Sequence, residues 1–386
     1  MYNDKEIVLI FPFLEERDAN RYVLAKRIAM KIKKLQADNF MLFNNIDIEF
    51  SPHINIISGE NSTGKTALIK LLYASLKGYA NVNDSKQNIT KDFVESAIVS
   101  KLQGVFRPDH DSVGRLVNRV QGSNRADISI LMDNGFDMRY GFSNRHSTHI
   151  ELKNSSYADM GKITTAYIPP KEIISATENF GSLYSQYHIA FEETYYDLAQ
   201  LLERPLRKGP NTKEQNTVMK SFEKIVNGSI NQRDKKFYLK VSGSGEFEMG
   251  LVSEGYRKLA TVMYLILSGS LTKDSILFWD EPETNMNPKM IQPMTEALIE
   301  LAKMGVQIFI TTHDYFVQQA FNLDAYYKNE ARKQNKLDYK FISLNRDIQG
   351  GIECESVSDL SDLTHNAIME EFDALYDREQ RLIYGN

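Results

Sequence analysis

The chain has 386 residues, 42% of them hydrophobic and 25% charged, proportions of an ordinary globular protein that exclude wholesale disorder, a collagen-like repeat and a coiled-coil rod. Against 51 acidic residues stand 46 Lys and Arg, a formal charge of −5, so the field of the whole chain does not favour nucleic acid or an anionic membrane, and any such contact has to be a local patch. The single cysteine, Cys354, closes no intrachain disulfide and supplies no Cys-rich zinc site, and no run approaches 18 uninterrupted apolar residues, so the chain reads as soluble and cytoplasmic.

In chain order, residues 1–32 form an N-terminal extension. Arg17, Arg21, Lys26, Arg27, Lys31, Lys33 and Lys34, a basic stretch running from it into the next segment, are diluted by Glu15, Glu16 and Asp18 and read as a solvated helix face ahead of a DNA or partner contact. Residues 33 to 58 hold two apolar or alternating runs, IDIEF and INIIS, on either side of Ser51 and Pro52, which predicts a hairpin feeding the next element. The text INIISGENSTGKTALIKLL then gives a strand, a Gly-rich loop and a helix, with Leu68, Leu71 and Leu72 at helical spacing. Between Ala126 and Tyr167, alternating runs around the Asn134-Gly135 pair predict a small antiparallel sheet. His146 and His149, with no Cys or Asp cluster nearby, read as an exposed loop. Residues 33–175 are thus one half of an α/β unit. Residues 176–235 are helical and charged, with Pro and Gly clustered in ERPLRKGPNTKEQN, and read as an inserted helical arm with a loop at its tip. The α/β pattern returns over residues 236–325: a helix through Leu259 to Leu267, the apolar strand SILFW, a helix through Met290 to Met304 and the strand VQIFITT. Apolar strands alternating with amphipathic helices predict a mixed, mainly parallel sheet covered on both faces. Residues 326–386 remain as a C-terminal segment.

Gly59, Glu60, Asn61, Ser62, Thr63, Gly64, Lys65 and Thr66 spell G-x-x-x-x-G-K-T between that strand and its helix, which opens through Ala67. The glycines let successive amides point into one concavity, the helix N-terminus adds partial positive charge, Lys65 reaches the β and γ phosphates of a nucleotide and Thr66 is a Mg²⁺ ligand. Far downstream, Ile276 to Trp279 run straight into Asp280 and Glu281. Both carboxylates then sit at the C-terminal edge of a strand, where parallel sheets bind ligands. Such a pair alone is as often a helix cap. With the phosphate loop present, Asp280 is placed to hold the metal, directly or through water, and Glu281 to deprotonate the attacking water.

Ser253, Glu254 and Gly255 precede a helix in LVSEGYRKLA, where Ser253 is a natural N-cap. The order of the segments goes further. GENSTGKT, SEGYRK, FWDEPE, NMNP and TTHD follow the order of motifs in ATP-binding-cassette (ABC) ATPases. Over roughly residues 33 to 320 the chain resembles that family, in the branch of SMC, RecF and overcoming-lysogenization-defect proteins, because its signature reads SEGYR where transporter subunits have LSGGQ. The resemblance implies a P-loop ABC-type fold, ATP and Mg²⁺ as cofactors, and slow, regulatory hydrolysis of ATP to ADP and phosphate. It also implies a homodimer in which Ser253 and Gly255 bind the γ-phosphate of ATP held by the opposite subunit. Asn285 to Pro288 look like the D-loop of that seam, and His313 resembles the switch histidine that contacts the γ-phosphate. One position departs from the family: after Tyr167, Ile168 and Pro169 no glutamine occupies the expected slot, leaving Lys171, Glu172 or Gln103 as its substitute. KLQGVFRPD, YIPPKEIIS and FEETYYDL resemble stand-alone ATPases of bacterial antiphage defence operons such as the PARIS and Septu systems. That likeness implies a sensor or regulatory scaffold whose separately encoded effector is a nuclease toxin, with DNA or a phage protein as trigger and no membrane partner. The 73 residues after His313 carry no clustered Glu and DxD acids, so the chain is expected to cut nothing itself. The alternative is a RecF- or SMC-like DNA-maintenance ATPase that clamps DNA, although the stretch from 176 to 250 is too short for a long coiled coil.

Overall fold

The computed structural model describes residues 30–85, 88–119, 122–145, 148–153, 161–187, 189–328, 337–348 and 350–385. Arg17, Arg21, Lys26, Arg27 and His146 lie outside the described residues. The described residues open with the hairpin β1 (Ile32–Phe40) and β2 (Phe43–Glu49), then β3 (Ile54–Gly59), α1 (Lys65–Asp84) and α2 (Lys91–Phe106). β4 (Arg125–Met132), β5 (Asp137–Ser143) and β6 (Glu151–Leu152) follow, and β7 (Thr164–Ile168) leads to three helices, α3 (Phe180–Tyr187), α4 (Glu193–Leu202) and α5 (Lys213–Val226). A three-stranded sheet of β8 (Gly228–Arg233), β9 (Lys236–Val241) and β10 (Gly245–Glu248) precedes α6 (Glu254–Leu267). The remainder is β11 (Ser275–Asp280), α7 (Ile291–Lys303), β12 (Gln307–Thr311), α8 (Tyr315–Leu323), β13 (Tyr339–Arg346), β14 (Ile352–Val357) and α9 (Ala367–Tyr384).

The central sheet has the order β14-β13-β3-β12-β11-β7, parallel throughout except for the edge strand β14. Strands covered on both faces need apolar residues at every position, and β3, β11 and β12 are buried from end to end. Their side chains divide by the period of two. Ile54, Leu277, Trp279, Ile308 and Ile310 enter a core with α4 to α8, whereas Ile57, Ile276, Phe278 and Phe309 enter a second core with α1, α2 and the antiparallel lobe β2-β1-β4-β5-β6. The turn at Asn134-Gly135 joins β4 to β5, with Ile130 opposite Met138.

The hairpin expected between IDIEF and INIIS does not form. IDIEF belongs to β2, which pairs with β1, whereas INIIS belongs to β3 in the central sheet. The burial patterns give the reason: β2 alternates, as a strand with one wet face does, while β3 is buried throughout, its polar Asn55 and Ser58 included. Ser51 and Pro52 therefore make a crossover between sheets, pinned where the Ser51 hydroxyl accepts the His53 amide at 2.9 Å and donates to the Asp338 carbonyl.

Residues 176–235 hold α3, α4, α5 and part of the small sheet. Leu198, Leu201 and Leu202 of α4 and Val218, Met219 and Phe222 of α5 are buried in the same core as α6 and α7, so these helices lie against the body. The central sheet also extends past the last recognised motif, because β13 and β14 come from residues beyond His313.

Candidate active site

Three adjacent parallel strands bring the motifs to one edge. β3 ends at Gly59, β11 at Asp280 and β12 at Thr311, with Asp280 opposite Thr311 and Thr311 opposite Ile57 in the register. Segments more than 200 residues apart in sequence thereby become neighbours at the carboxyl ends of the strands.

The loop from Gly59 to Thr66 depends on two glycines. Gly59 has φ +143, and a Cβ there would stand 2.1 Å from the Leu344 carbonyl oxygen; Gly64 has φ +98, and a Cβ would stand 2.6 Å from the Phe43 ring. Gly64 is the N-cap of α1 and supplies no side-chain cap, so the first amides of the helix, from Lys65 to Ala67, lack intrahelical acceptors and point into the loop. Lys65 Nζ donates to the carbonyls of Gly59 at 2.8 Å and Glu60 at 2.6 Å. Burial holds its ammonium down to about 8, against the pull of Glu281, Asp280, Glu283 and Glu60. Thr63 donates to the Glu60 carbonyl at 2.9 Å, and Arg346 of β13 donates to the Ser62 carbonyl at 2.9 Å, bracing the loop from both sides.

Asp280 is buried and receives three hydroxyls: Thr66 at 3.0 Å and Thr311 on Oδ1, and Tyr167 at 3.0 Å on Oδ2. Burial pushes its carboxyl up, and these hydroxyls oppose the shift. The pairing of a buried carboxylate with the Thr66 hydroxyl is a hard oxygen donor set that suits Mg²⁺. Glu281 sits in the left-handed region with φ +47, a conformation rare for a residue with a side chain, and its amide donates to both the carbonyl and the hydroxyl of Thr311. Its carboxylate accepts from His313 Nε2 at 3.1 Å and from Thr284 Oγ1 at 3.3 Å. The bond from His313 holds Glu281 below the usual carboxylate range. Glu283, half-buried and shifted upward by desolvation of its carboxyl, accepts the Thr312 hydroxyl at 2.7 Å and the His313 amide at 3.1 Å, and so fixes the turn that presents His313.

Ser253 and Gly255 open α6. Ser253 takes the N-cap position but makes no side-chain cap bond, and its side chain is exposed. Among the described residues no hydrogen bond joins Ser253 or Gly255 to the phosphate loop. The helix is instead tied to the acidic turn: buried Lys258 donates to the Thr284 carbonyl at 2.8 Å and the Glu281 carbonyl at 3.3 Å, and Asn285 donates to Glu254 at 3.0 Å.

Of the three candidates for the missing glutamine, Gln103 donates to the Asp111 carbonyl at 2.6 Å and Glu172 is paired with Arg257 and Ser175; Lys171 is exposed. Tyr167, Thr311, Glu283, Lys258 and Arg346 escaped the sequence reading. Tyr167 carried the weakest signal, an aromatic in an apolar strand, while Glu283 and Thr311 flank the residues already singled out. Arg125, one of the basic residues of the first half, is engaged in the antiparallel lobe by Asp127 and Glu151.

Two family models match the chain: one described as "AAA domain, putative AbiEii toxin, Type IV TA system" over residues 140–317, the other as "AAA ATPase domain" over residues 30–201. A DNA replication and repair protein RecF of Clostridium acetobutylicum is 39% identical over 70 residues, which is 18% of this chain and 19% of the relative. The structural maintenance of chromosomes protein 6A of Arabidopsis thaliana is 28% identical over 128 residues, 31% of this chain and 12% of the relative. The chain thus spans about a fifth or less of the length of these curated relatives. A solved structure of an SMC head bound to the C-winged helix domain of ScpA has a TM-score of 0.51 and 14% identity, covering 86% of this chain and 98% of that one. Among the described residues no helix is long and apolar enough to cross a membrane.

Proposed function

We propose that this chain is an ABC-type ATPase of the SMC and RecF kind and that it hydrolyses ATP as a nucleotide-gated homodimer with two composite sites, a reading supported by the family-model matches, the RecF relative and the SMC-head fold. Lys65 and the amides from Gly64 to Ala67 hold the β and γ phosphates. Thr66 and Asp280 hold Mg²⁺, which when bound neutralises charge on the phosphates. Glu281 stays ionised at neutral pH because His313 stabilises its charged form, and as a carboxylate it takes the proton of the attacking water. His313 carries the other side of that contact and turns toward the phosphate. Ser253 and Gly255 serve the ATP of the partner subunit.

The observation that carries this reading is the contrast at α6: its opening hydroxyl is exposed and uncapped, while its body is bonded through Lys258 to the turn holding Glu281. Docking of Ser253 on a partner's nucleotide would therefore act on the acidic turn of its own chain. The test is complementation. Ser253→Arg alone is expected to bind ATP and fail to hydrolyse it, and Lys65→Ala alone, with its ATP affinity weakened, is expected to fail to hydrolyse it as well. Mixed together they build one site with an intact loop and an intact signature, and phosphate release returns in part. Normal hydrolysis by Ser253→Arg alone would leave the serine a mere surface residue and remove the composite site.

For the biological role we propose a regulatory scaffold in a bacterial defence module with a separately encoded toxin, a reading supported by the toxin and toxin–antitoxin terms of the family description. The names of the RecF and SMC relatives favour a second reading, ATP-dependent clamping of DNA. Native mass measurement with the product of an adjacent gene, with and without ATP, separates the two from retention on circular DNA.

A further inference from the structure

We propose that α9 is a homotypic interface, pairing antiparallel with α9 of a second copy of this chain without any nucleotide. Among the described residues the helix is anchored at its start. Asn366 accepts the Ile368 amide at 3.3 Å and donates to Gln318 at 2.8 Å, and the Phe372 ring stacks on Tyr315 at 4.4 Å and 7°. Beyond that stack Leu375 and Tyr376 are each 56% exposed, Leu382 79% and Ile383 60%. An 18-residue helix has marginal stability alone in water, so an apolar face of this size needs a covering surface.

The spacing says which surface. Ile368 and Phe372, at the anchored start, begin a repeat that Leu375, Glu379 and Leu382 continue beyond it at steps of four, three, four and three, the seam of a coiled coil and therefore, past the Tyr315 stack, a fit for another helix. Glu379 in that seam weakens the pair and keeps it reversible. The charges say which helix. Glu370, Glu371 and Asp373 make the first half acidic, and in the second Arg378 and Arg381 balance Asp377 and Glu379. A parallel copy would set the acidic halves side by side; an antiparallel copy sets the arginines of each helix beside the acids of the other. With five acids and two arginines, α9 also lacks the basic polar face of a helix that lies on an anionic membrane. The pairing stands apart from the ATP-closed dimer proposed above, because none of these residues belongs to the nucleotide site.

The test uses the full chain carrying Lys65→Ala and no nucleotide, in sedimentation velocity over a micromolar concentration series. A monomer–dimer equilibrium is expected. Leu375→Arg and Leu382→Arg, at exposed positions that leave the far-UV spectrum and melting temperature unchanged, should weaken it at least about tenfold. Arg378→Glu with Arg381→Glu should weaken it as well, and adding Glu371→Arg and Asp373→Arg should restore it. A chain that is monomeric at every concentration, or a dimer indifferent to Leu375→Arg, overturns the proposal. Weakening by the arginine reversals without restoration by the fourfold reversal overturns the antiparallel order.

Discussion

The phosphate loop and the signature turn both open a helix, and they do so in opposite states. At the loop the groups proposed for catalysis are already engaged within the chain: Lys65 by two carbonyls, Asp280 by three hydroxyls, Glu281 by His313 and Thr284. At the signature Ser253 stands in the cap position with its hydroxyl uncommitted. Where other helices start on a capping residue type, that side chain makes the cap, as at Thr90 of α2, Asp314 of α8, Asn366 of α9 and the Thr212–Gln215 capping box of α5, whereas α4 and α7 start on Glu192 and Met290 without one. A serine in cap position that declines the cap is thus better matched to an external acceptor, and the difference separates a cradle complete in one chain from half of a site.

The comparison breaks most visibly at Glu281. Glu281→Gln is expected to slow hydrolysis by roughly 10² or more, the range for loss of a general base, with ATP affinity retained and the dimer accumulating; single-turnover phosphate release and native mass measure both. An unchanged rate would move the catalytic acid elsewhere. Next comes Lys65→Ala. Hydrogen bonds to charged groups are worth about 1.5–3 kcal/mol, so ATP affinity should fall by about one to two orders of magnitude in titration calorimetry. Because the buried ammonium is disfavoured in the folded chain, its removal should leave the melting temperature unchanged or raise it. A stability loss with intact binding would make Lys65 a structural residue.

A pH series sharpens the same side of the contrast. Lys65 is held down to about 8 in the free site, while phosphates favour its charged form. Binding above pH 8 must therefore take up a proton, and affinity should fall by up to about tenfold per pH unit from there upward. Calorimetry in buffers of different ionisation enthalpy reads the uptake directly. Flat affinity between pH 7 and 9, with no buffer dependence, would contradict it. The smallest effect is expected at Tyr167, whose phenol orients Asp280 without facing the nucleotide. Tyr167→Phe should raise the Mg²⁺ concentration for half-maximal activity by a few-fold, as loss of about 1 kcal/mol from one hydrogen bond implies, and leave the ATP affinity measured without metal unchanged. If metal response and ATP affinity move together, Tyr167 acts on the fold as a whole.

The legible parts of the sequence were those whose physics is local. GENSTGKT shows its loop because glycine spacing and a following helix are written contiguously, and SILFWDE shows a buried strand ending in acids for the same reason. The antiparallel lobe was legible from the Asn134-Gly135 turn between alternating runs. Elsewhere pairing misled: IDIEF and INIIS are neighbours in sequence, but β2 needed one wet face and β3 none, and they joined different sheets. The slot without a glutamine shows the same limit, since the fates of Gln103 and Glu172 depend on the Asp111 carbonyl and on Arg257, residues their own segments do not contain.

By itself, then, the sequence determined the elements around the motifs, the phosphate-loop chemistry and the α/β class, but not the strands β8 to β10, β13 and β14, because period, turn residues and glycine spacing act within a few residues of one another. Only the tertiary structure decided which strands are neighbours. That order set Thr311 beside Asp280, brought the Tyr167 hydroxyl to the same carboxylate from β7, placed β13 and its Arg346 against the loop, and left Ser253 uncapped. Those contacts join residues tens to hundreds of positions apart, and they follow from how two cores close over both faces of one sheet, which no local pattern encodes.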